Sequence, residues 1–236
     1  MKEPKRNYLI SFILMWFCIS CTENNDSYFP LTKGLKWQYD VTLITRDGLS
    51  NQKYMFNNLG EGELNGESVF LRESVEGTVS YYSNTENGIH YLGHKDSQSL
   101  NPGFNEYKQT ILPDDISIDT KWEEETVTKL LQKTGPPQKT VFKIIAKVPL
   151  EATVESLSET VVVPAGKFEN CLKISKTGSV YKDAGNYVGL TVVSVKQSNW
   201  YAPGVGLIKL ERIEATERKA LDKGSLLVEL THFIQR

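Results

Sequence analysis

The chain has 236 residues, with 27 basic and 29 acidic side chains and a formal net charge of −2. This balance, with no block of Lys or Arg, leaves no electrostatic footprint for nucleic acid, whose recognition rests largely on neutralising phosphates. Without residues 1–20, and so without Lys2, Glu3, Lys5 and Arg6, the net charge becomes −4, and the 216 residues that remain can bury a sizeable core as one unit with no linker to divide it.

The first twenty residues run from a charged stretch (Lys2, Lys5, Arg6) through an apolar stretch, Tyr8 to Ile19, to the small Ser20 before Cys21. That is the three-part order of an export signal. The apolar run, about 12 residues, is shorter than the roughly 20 that span a bilayer. Of the tetrad Cys18-Ile19-Ser20-Cys21, only Ser20 suits an ordinary signal peptidase. The tetrad instead resembles a lipobox, with Ile19, Ser20 and Cys21 matching and Cys18 standing where leucine is usual. The resemblance implies cleavage after Ser20 and lipidation of Cys21, whose thiolate is the nucleophile that takes a diacylglyceryl group. Several acyl chains then make a firm anchor, where one would hold only reversibly. Thr22, which is not aspartate, resembles the sorting pattern for an outer membrane where the organism has two membranes, facing the periplasm or the surface. The alternatives are an ordinary secreted protein and an uncleaved N-terminal anchor.

With Cys18 removed and Cys21 acylated, Cys171 has no partner for a disulfide. It either shares a face with Lys173 and Ser175 or is buried near the start of its strand, an inert thiol.

Residues 21–27 are polar and read as a tether, and order begins at Tyr28. Trp37 to Leu43 alternates large apolar with polar side chains, the period of a half-buried strand. Further strands are expected at 52–59, 67–75, 78–84 and 88–93, with Asn65-Gly66 and Asn87-Gly88 as tight turns. Residues 95–118 read as a long irregular connection around a short strand at 106–112. Lys121 to Lys133 fits a helix by its charge and a strand by Thr126-Val127-Thr128, and Gly135-Pro136-Pro137 ends it. Strands follow at 138–148, 151–157, 160–163, 171–181, 187–200, 207–217 and 225–234, with Asp222-Lys223-Gly224 as the last hairpin turn. Short connections imply antiparallel pairing. The expected fold is mainly β: residues 28–236 as one curved antiparallel sheet or unclosed barrel of about ten to twelve strands.

Three blocks, Tyr28 to Tyr39, Val163 to Cys171 and Trp200 to Lys209, resemble uncharacterised envelope lipoproteins of the TapB-like group, which are similar at a distance to the LolA and LolB lipoprotein carriers. The resemblance implies an unclosed antiparallel barrel with an apolar concave face, and transfers no catalytic residue. Physically the blocks read as architecture: Pro30 and Gly34, Pro164 and Gly166, and Pro203, Gly204 and Gly206 as turns, and Trp37, Phe168 and Trp200 as core plugs.

Chemistry is sparse. His90, His94 and Asp96 could be imagined as metal ligands, but strand residues four apart lie about 13 Å apart and need a bend at Gly93 to share an ion. Glu123-Glu124-Glu125 could attract calcium, but alternate side chains face opposite ways, so a solvated surface is expected. The zinc-protease, Gly-x-Ser-x-Gly and P-loop motifs are absent. The expectation is a noncatalytic, lipid-anchored envelope protein with no metal and no cofactor. Its sheet would bind an apolar ligand, a lipid or a partner protein. A hydrolase acting on envelope material and a purely structural or assembly lipoprotein are the alternatives.

Overall fold

The computed structural model describes residues 27–136, 139–185 and 188–235. The first strand, β1 (Lys36–Thr45), shows why the sequence folds as it does: Trp37, Tyr39 and Val41 are buried while Asp40 is exposed. An antiparallel meander follows through β2 (Gly48–Leu64), β3 (Glu67–Ser74), β4 (Val79–Thr85), β5 (Gly88–Lys95) and β6 (Gly103–Leu112). A second comprises β7 (Lys121–Val127), the small hairpin β8 (Gln132–Gly135) and β9 (Thr140–Lys143), then β10 (Lys147–Val163), β11 (Gly166–Asp183), β12 (Leu190–Ala202), β13 (Gly206–Thr216) and β14 (Lys223–Ile234).

Twelve strands form one sheet in the order β6-β5-β4-β3-β2-β1-β14-β13-β12-β11-β10-β7, every pairing antiparallel. The first strand therefore pairs with the last, and β6 and β7 are the sheet's edges. Those edges curl towards each other without zipping together. The Gln109 side chain on β6 donates to Glu125 O on β7 (3.3 Å), and Ile89 and Leu112 from one flank pack with Ala152, Val154, Leu172 and Ile174 from the other. The expected unclosed antiparallel barrel is what the chain forms.

Local chemistry sets the turns. Asn65 and Gly66 both adopt positive φ (53° and 85°), the requirement of a type I′ hairpin turn between β2 and β3. At Asn87-Gly88 the expectation shifts by one residue: the turn is Glu86-Asn87, and Gly88 opens β5. A methyl group on Gly88 would lie 2.2 Å from Leu112 O, so glycine is needed there for close approach to β6. Asp222-Lys223-Gly224 is not the hairpin turn. A single 3₁₀ turn at Lys219–Leu221 makes the connection, and Gly224 is buried where Leu130 crosses it, a Cβ there falling 2.5 Å from that side chain.

Three strand expectations are corrected. Residues 138–148, 151–157 and 160–163 are not three strands: β9 is short, and β10 runs unbroken through Lys147–Val163, its register slipping at Val154/Ser156, Ser156/Glu159 and Glu159/Val161. Those bulges absorb the polar stretch that reads as a break. The ambiguous segment 121–133 becomes β7, a crossing and the start of β8, with no helix. The lengths 95–118 hold a longer strand than expected, β6 beginning at Gly103.

Three apolar clusters fill the interior. One lies around Leu35, Trp37, Tyr39, Cys171, Ile208 and Leu230, and one around Phe29, Ala152, Leu172 and Tyr201. The third, around Leu131, Ile144, Val148, Val193, Val195 and Leu221, is formed where the β7–β10 crossing plugs one end of the sheet.

Candidate functional site

Before β1 the chain crosses the sheet as a strap. Ser27 O accepts from Gly204 N (3.0 Å), Gly34 N donates to Asn58 O and Asn58 N to Leu35 O (both 2.9 Å). The Asn58 side-chain amide donates to Pro30 O (3.0 Å) and Thr32 O (3.2 Å). Arg72 completes the seat: its Nε donates to Asn58 Oδ1 (2.8 Å), one terminal nitrogen donates to Pro30 O (3.1 Å), and the guanidinium lies over the rings of Phe29 (4.4 Å) and Trp37 (4.5 Å). Such a cation stacked on aromatic faces is held by the rings' negative quadrupole.

Further round the sheet, the interior is polar and fully engaged. Glu124 on β7 and Lys176 on β11 form a buried ion pair (2.6 and 2.7 Å), and Trp122 Nε1 donates to the same carboxylate (2.8 Å). On β13, Arg212 donates to Glu214 (2.8 Å), to Gln197 Oε1 (2.9 Å), to Thr126 Oγ1 (3.0 Å) and to Val127 O (3.3 Å). Glu214, with 0 % of its surface exposed, also accepts from Lys129 N (2.9 Å) and Leu130 N (2.8 Å), which pins the β7–β10 crossing. Gln197 passes the network to Asn199 (2.9 Å), and Asn199 to the Tyr201 hydroxyl (3.0 Å). Burial pushes the phenol pKa values of Tyr201 and Tyr39 well above the ordinary range, and Tyr39 donates to Leu207 O (2.8 Å). Each buried charge here has an opposite charge or several donors beside it, the condition under which charges tolerate an interior.

Two grooves open among the described residues. A groove of about 550 Å³ runs beside the strap, between Phe29, Leu31, Leu59, Phe70 and Ile89 on its apolar side and Thr32, Lys33, Glu61 and Asn84 on its polar side. A second groove, of about 310 Å³, sits across β14, β1, β2 and the end of β3. Its walls are Trp37, Met55, Phe56, Val75 and Ile234, with Lys36, Glu73 and His232 among its polar members. Asn57, also in its wall, has a buried side-chain oxygen without a hydrogen-bond partner. Apolar walls with one unspent acceptor are the composition of a small-ligand site, and the volume falls at the low end of the roughly 300–1,000 Å³ such sites occupy.

Cys21, the residue that the sequence marks for lipidation, lies outside the described residues, as do residues 1–20 and the tether up to residue 26. His90 and His94 are not brought together on an ion. His90 Nδ1 meets Thr110 Oγ1 (3.3 Å), while His94 meets the Tyr91 hydroxyl (2.8 Å) and Asp96 (3.6 Å). Burial and the Lys108 charge hold His90 below its ordinary pKa, and burial pushes Tyr91 up to about 12. Among the described residues no three His, Cys, Asp or Glu side chains cluster as metal ligands.

The acidic run is not the solvated surface expected of it: Glu124 faces the interior on Lys176, while Glu125 meets Lys147 outside (3.3 Å). Cys171 is buried, through the bulge opposite Glu159, and burial raises its thiol pKa. Trp37 is a core plug, its indole donating to Val205 O (2.7 Å), and Phe168 packs on the same cluster. Trp200 differs: Lys173 and Lys209 lie over its ring (5.6 and 5.2 Å), and it is only partly buried. Sequence reading missed Asn57, Asn58, Arg72, Lys176, Arg212 and Glu214. Lys176, Arg212 and Glu214 sit at the buried parity of their strands, beside Ile174 or Ile208, which was the available signal.

No known protein family matches the chain, and no curated protein matches it in sequence. Two crystal structures are similar. One is of a proposed lipoprotein from Parabacteroides distasonis (13 % identity, TM-score 0.43) and the other of a proposed exported protein with a YmcC-like fold from Bacteroides fragilis (13 % identity, TM-score 0.40). Each comparison covers 88 % of this chain and 98 % of the other. Neither lends this chain an activity.

Proposed function

We propose that this chain is a noncatalytic cell-envelope protein, lipid-anchored through Cys21, that binds a small apolar ligand in the groove across β14, β1, β2 and β3. The observation that carries the reading is that groove: Trp37, Met55, Phe56, Val75 and Ile234 around about 310 Å³, with the Asn57 oxygen buried and unspent. A ligand with an apolar body and one hydroxyl or amide donor satisfies both features, since an unmet buried acceptor is costly until a donor reaches it. The export signal and the lipobox-like Ile19-Ser20-Cys21 support the anchor, and Thr22 supports an outer-membrane destination. The three blocks that resemble the TapB-like group, and more distantly the LolA and LolB carriers, fit an envelope binding protein. The interior acids and bases are engaged with one another, which favours binding over catalysis.

The test is native mass spectrometry of the untagged mature protein, followed by titration with a fluorescent apolar probe. A co-purifying small-molecule mass, and probe binding weakened at least tenfold by Val75→Glu, are the expected results. A clean apo mass together with no probe binding removes the ligand reading. Processing blocked by globomycin and acyl labelling lost in Cys21→Ala test the anchor separately; labelling that persists in that variant refutes it.

A further inference from the structure

Between Glu125 and Glu151 the chain contains no acidic residue but five lysines: Lys129, Lys133, Lys139, Lys143 and Lys147. They are spread too widely to read as a basic block in sequence. Folding gathers them on the β7–β10 crossing, in a protein whose overall charge is −2. The crossing plugs the end of the sheet opposite Ser27: Ser27 bonds at the β12–β13 turn, whereas the crossing joins the far ends of β7 and β10 and is latched to the β1–β2 turn by Asp47, which accepts from Thr134 N (2.6 Å) and Thr134 Oγ1 (3.0 Å).

The buried and exposed positions of the crossing alternate. Thr128, Leu130, Ile144 and Ala146 point in, while Val127, Lys129, Lys143, Ile145 and Lys147 point out. Val127 pairs with Lys147, and Thr128 N donates to Ala146 O (3.0 Å), which places Lys129 opposite Ile145. The outward face is thus a checkerboard of ammonium groups and bare aliphatic side chains, with Val127, Val141 and Ile145 exposed by 37, 53 and 49 %. The nearby acids are occupied: Asp47 by Thr134, Glu214 by Arg212 and the crossing's own amides, and Glu125 by Lys147 across an exposed 3.3 Å contact. Among the described residues, Lys129, Lys133, Lys139 and Lys143 carry no ion pair.

We propose that this checkerboard of lysine and aliphatic side chains on the β7–β10 crossing is a docking surface for an anionic phospholipid bilayer, a membrane contact separate from the N-terminal acyl group. Lysines next to exposed aliphatics are the pattern of an interfacial contact, in which the apolar groups enter the headgroup boundary and the ammonium groups meet lipid phosphates. A soluble anionic polymer of equal charge would use the lysines but leave Val141 and Ile145 bare. Each lysine near an anionic surface strengthens binding about fivefold at low salt.

The experiment uses the mature chain, residues 21–236 carrying Cys21→Ala, so that neither the export signal nor an acyl group contributes and failure of the anchor reading cannot be confused with failure of this one. It is floated with vesicles of phosphatidylcholine alone or of phosphatidylcholine and phosphatidylglycerol in equal parts. The anionic vesicles are expected to carry the protein and the zwitterionic ones to leave it behind. Lys129→Ser and Lys143→Ser together should weaken partitioning about twenty-five-fold, and Val141→Ser with Ile145→Ser should weaken it further at unchanged charge. Lys133, paired with Phe142 on the inward face, is left in place. All four substituted positions are exposed on the crossing, and a circular-dichroism melt checks that each variant is folded. Equal recovery on both vesicle types, or a folded double lysine variant that partitions like the parent, overturns the proposal. Binding to dextran sulfate as tight as to the vesicles, with no effect of the two serine changes at 141 and 145, overturns it in favour of an anionic polymer.

Discussion

Lys176→Met isolates the interior ion pair. In the parent, the Lys176 and Glu124 side chains are 5 and 4 % exposed and meet at 2.6 Å, so solvent screening offers the carboxylate little relief once the ammonium is removed. Glu124 would keep a single donor, Trp122 Nε1 at 2.8 Å. Breaking a buried pair from one side costs about 3–5 kcal/mol, because the surviving charge remains desolvated, a large share of the roughly 5–15 kcal/mol that holds a domain folded. Glu124→Gln in the same chain removes the orphaned charge but leaves an acceptor for Trp122, so the double variant should return to within about 2 kcal/mol of the parent. The assay is urea unfolding of the mature chain followed by tryptophan fluorescence, with the parent, both single variants and the double variant forming a cycle. A loss below about 1 kcal/mol for Lys176→Met, or two single effects that simply add, would refute the claim that this pair is buried and coupled.

The strap is expected to depend on Asn58: Asn58→Ala removes two bonds to the strap and one from Arg72, costs about 2–3 kcal/mol, and makes the segment ahead of β1 the first site of limited proteolysis. Gly178→Ala puts a methyl group 1.9 Å from Pro149 O and should destabilise by more than about 2 kcal/mol in a thermal melt, while Gly135→Ala, whose nearest neighbour would be 3.6 Å away, stays within about 1 kcal/mol of the parent. Tyr39 and Tyr201 have folded pKa values raised by burial above the unfolded value of about 10, so their contribution is complete below that pH and is lost as pH rises towards the folded values. Urea midpoints should fall between about pH 9 and 11, and less steeply in Tyr39→Phe; equal slopes would count against a buried phenol. Cys171, buried with a raised thiol pKa, should react with a disulfide reagent only after denaturant is added.

Much of the architecture was legible because a one-sided sheet writes its burial into sequence with a period of two. Trp37, Tyr39 and Val41 show it in β1, and Asn65-Gly66 announces a hairpin by the positive φ it tolerates. The period alone does not reveal where a strand ends when a bulge shifts its register, and so β10 reads as three pieces. The buried charges were illegible for a related reason. Lys176, Arg212, Glu214 and Glu124 occupy inward positions, but a charged residue in an alternating run normally marks the outward face. What makes them inward is a partner on another strand: 52 residues away for Glu124 and Lys176, and as many as 86 for Arg212 and Thr126. Residue-by-residue reading weighs each charge against water, and only the folded sheet weighs it against its partner. The ligand groove was hidden likewise, since β14 and β3 meet around β1 and β2 from opposite ends of the chain.

These interior charges also bear on how an unclosed barrel keeps one curvature. A closed barrel is fixed by the hydrogen-bond ladder between its last strands, which β6 and β7 do not form. Here the ion pair Glu124–Lys176 spans β7 to β11, across the intervening β10, and Arg212 reaches from β13 to Thr126 and Val127 on β7. Lys176 and Glu124, two strands and about 9.5 Å apart, could meet even on a flat sheet, but β13 and β7 would then stand about 19 Å apart, beyond the reach of Arg212. A flatter sheet would separate Arg212 from β7 and Glu214 from the amides of the crossing, and leave buried charges unmet, at several kcal/mol each. Curvature on this flank is therefore set by charge pairing. On the other flank Arg72 plays the corresponding part by binding the strap to Asn58 and stacking on Phe29 and Trp37. With the concave side occupied by the strap, the polar network and the β7–β10 crossing, the space left for a ligand lies along the strap and in the groove across β14, β1, β2 and β3.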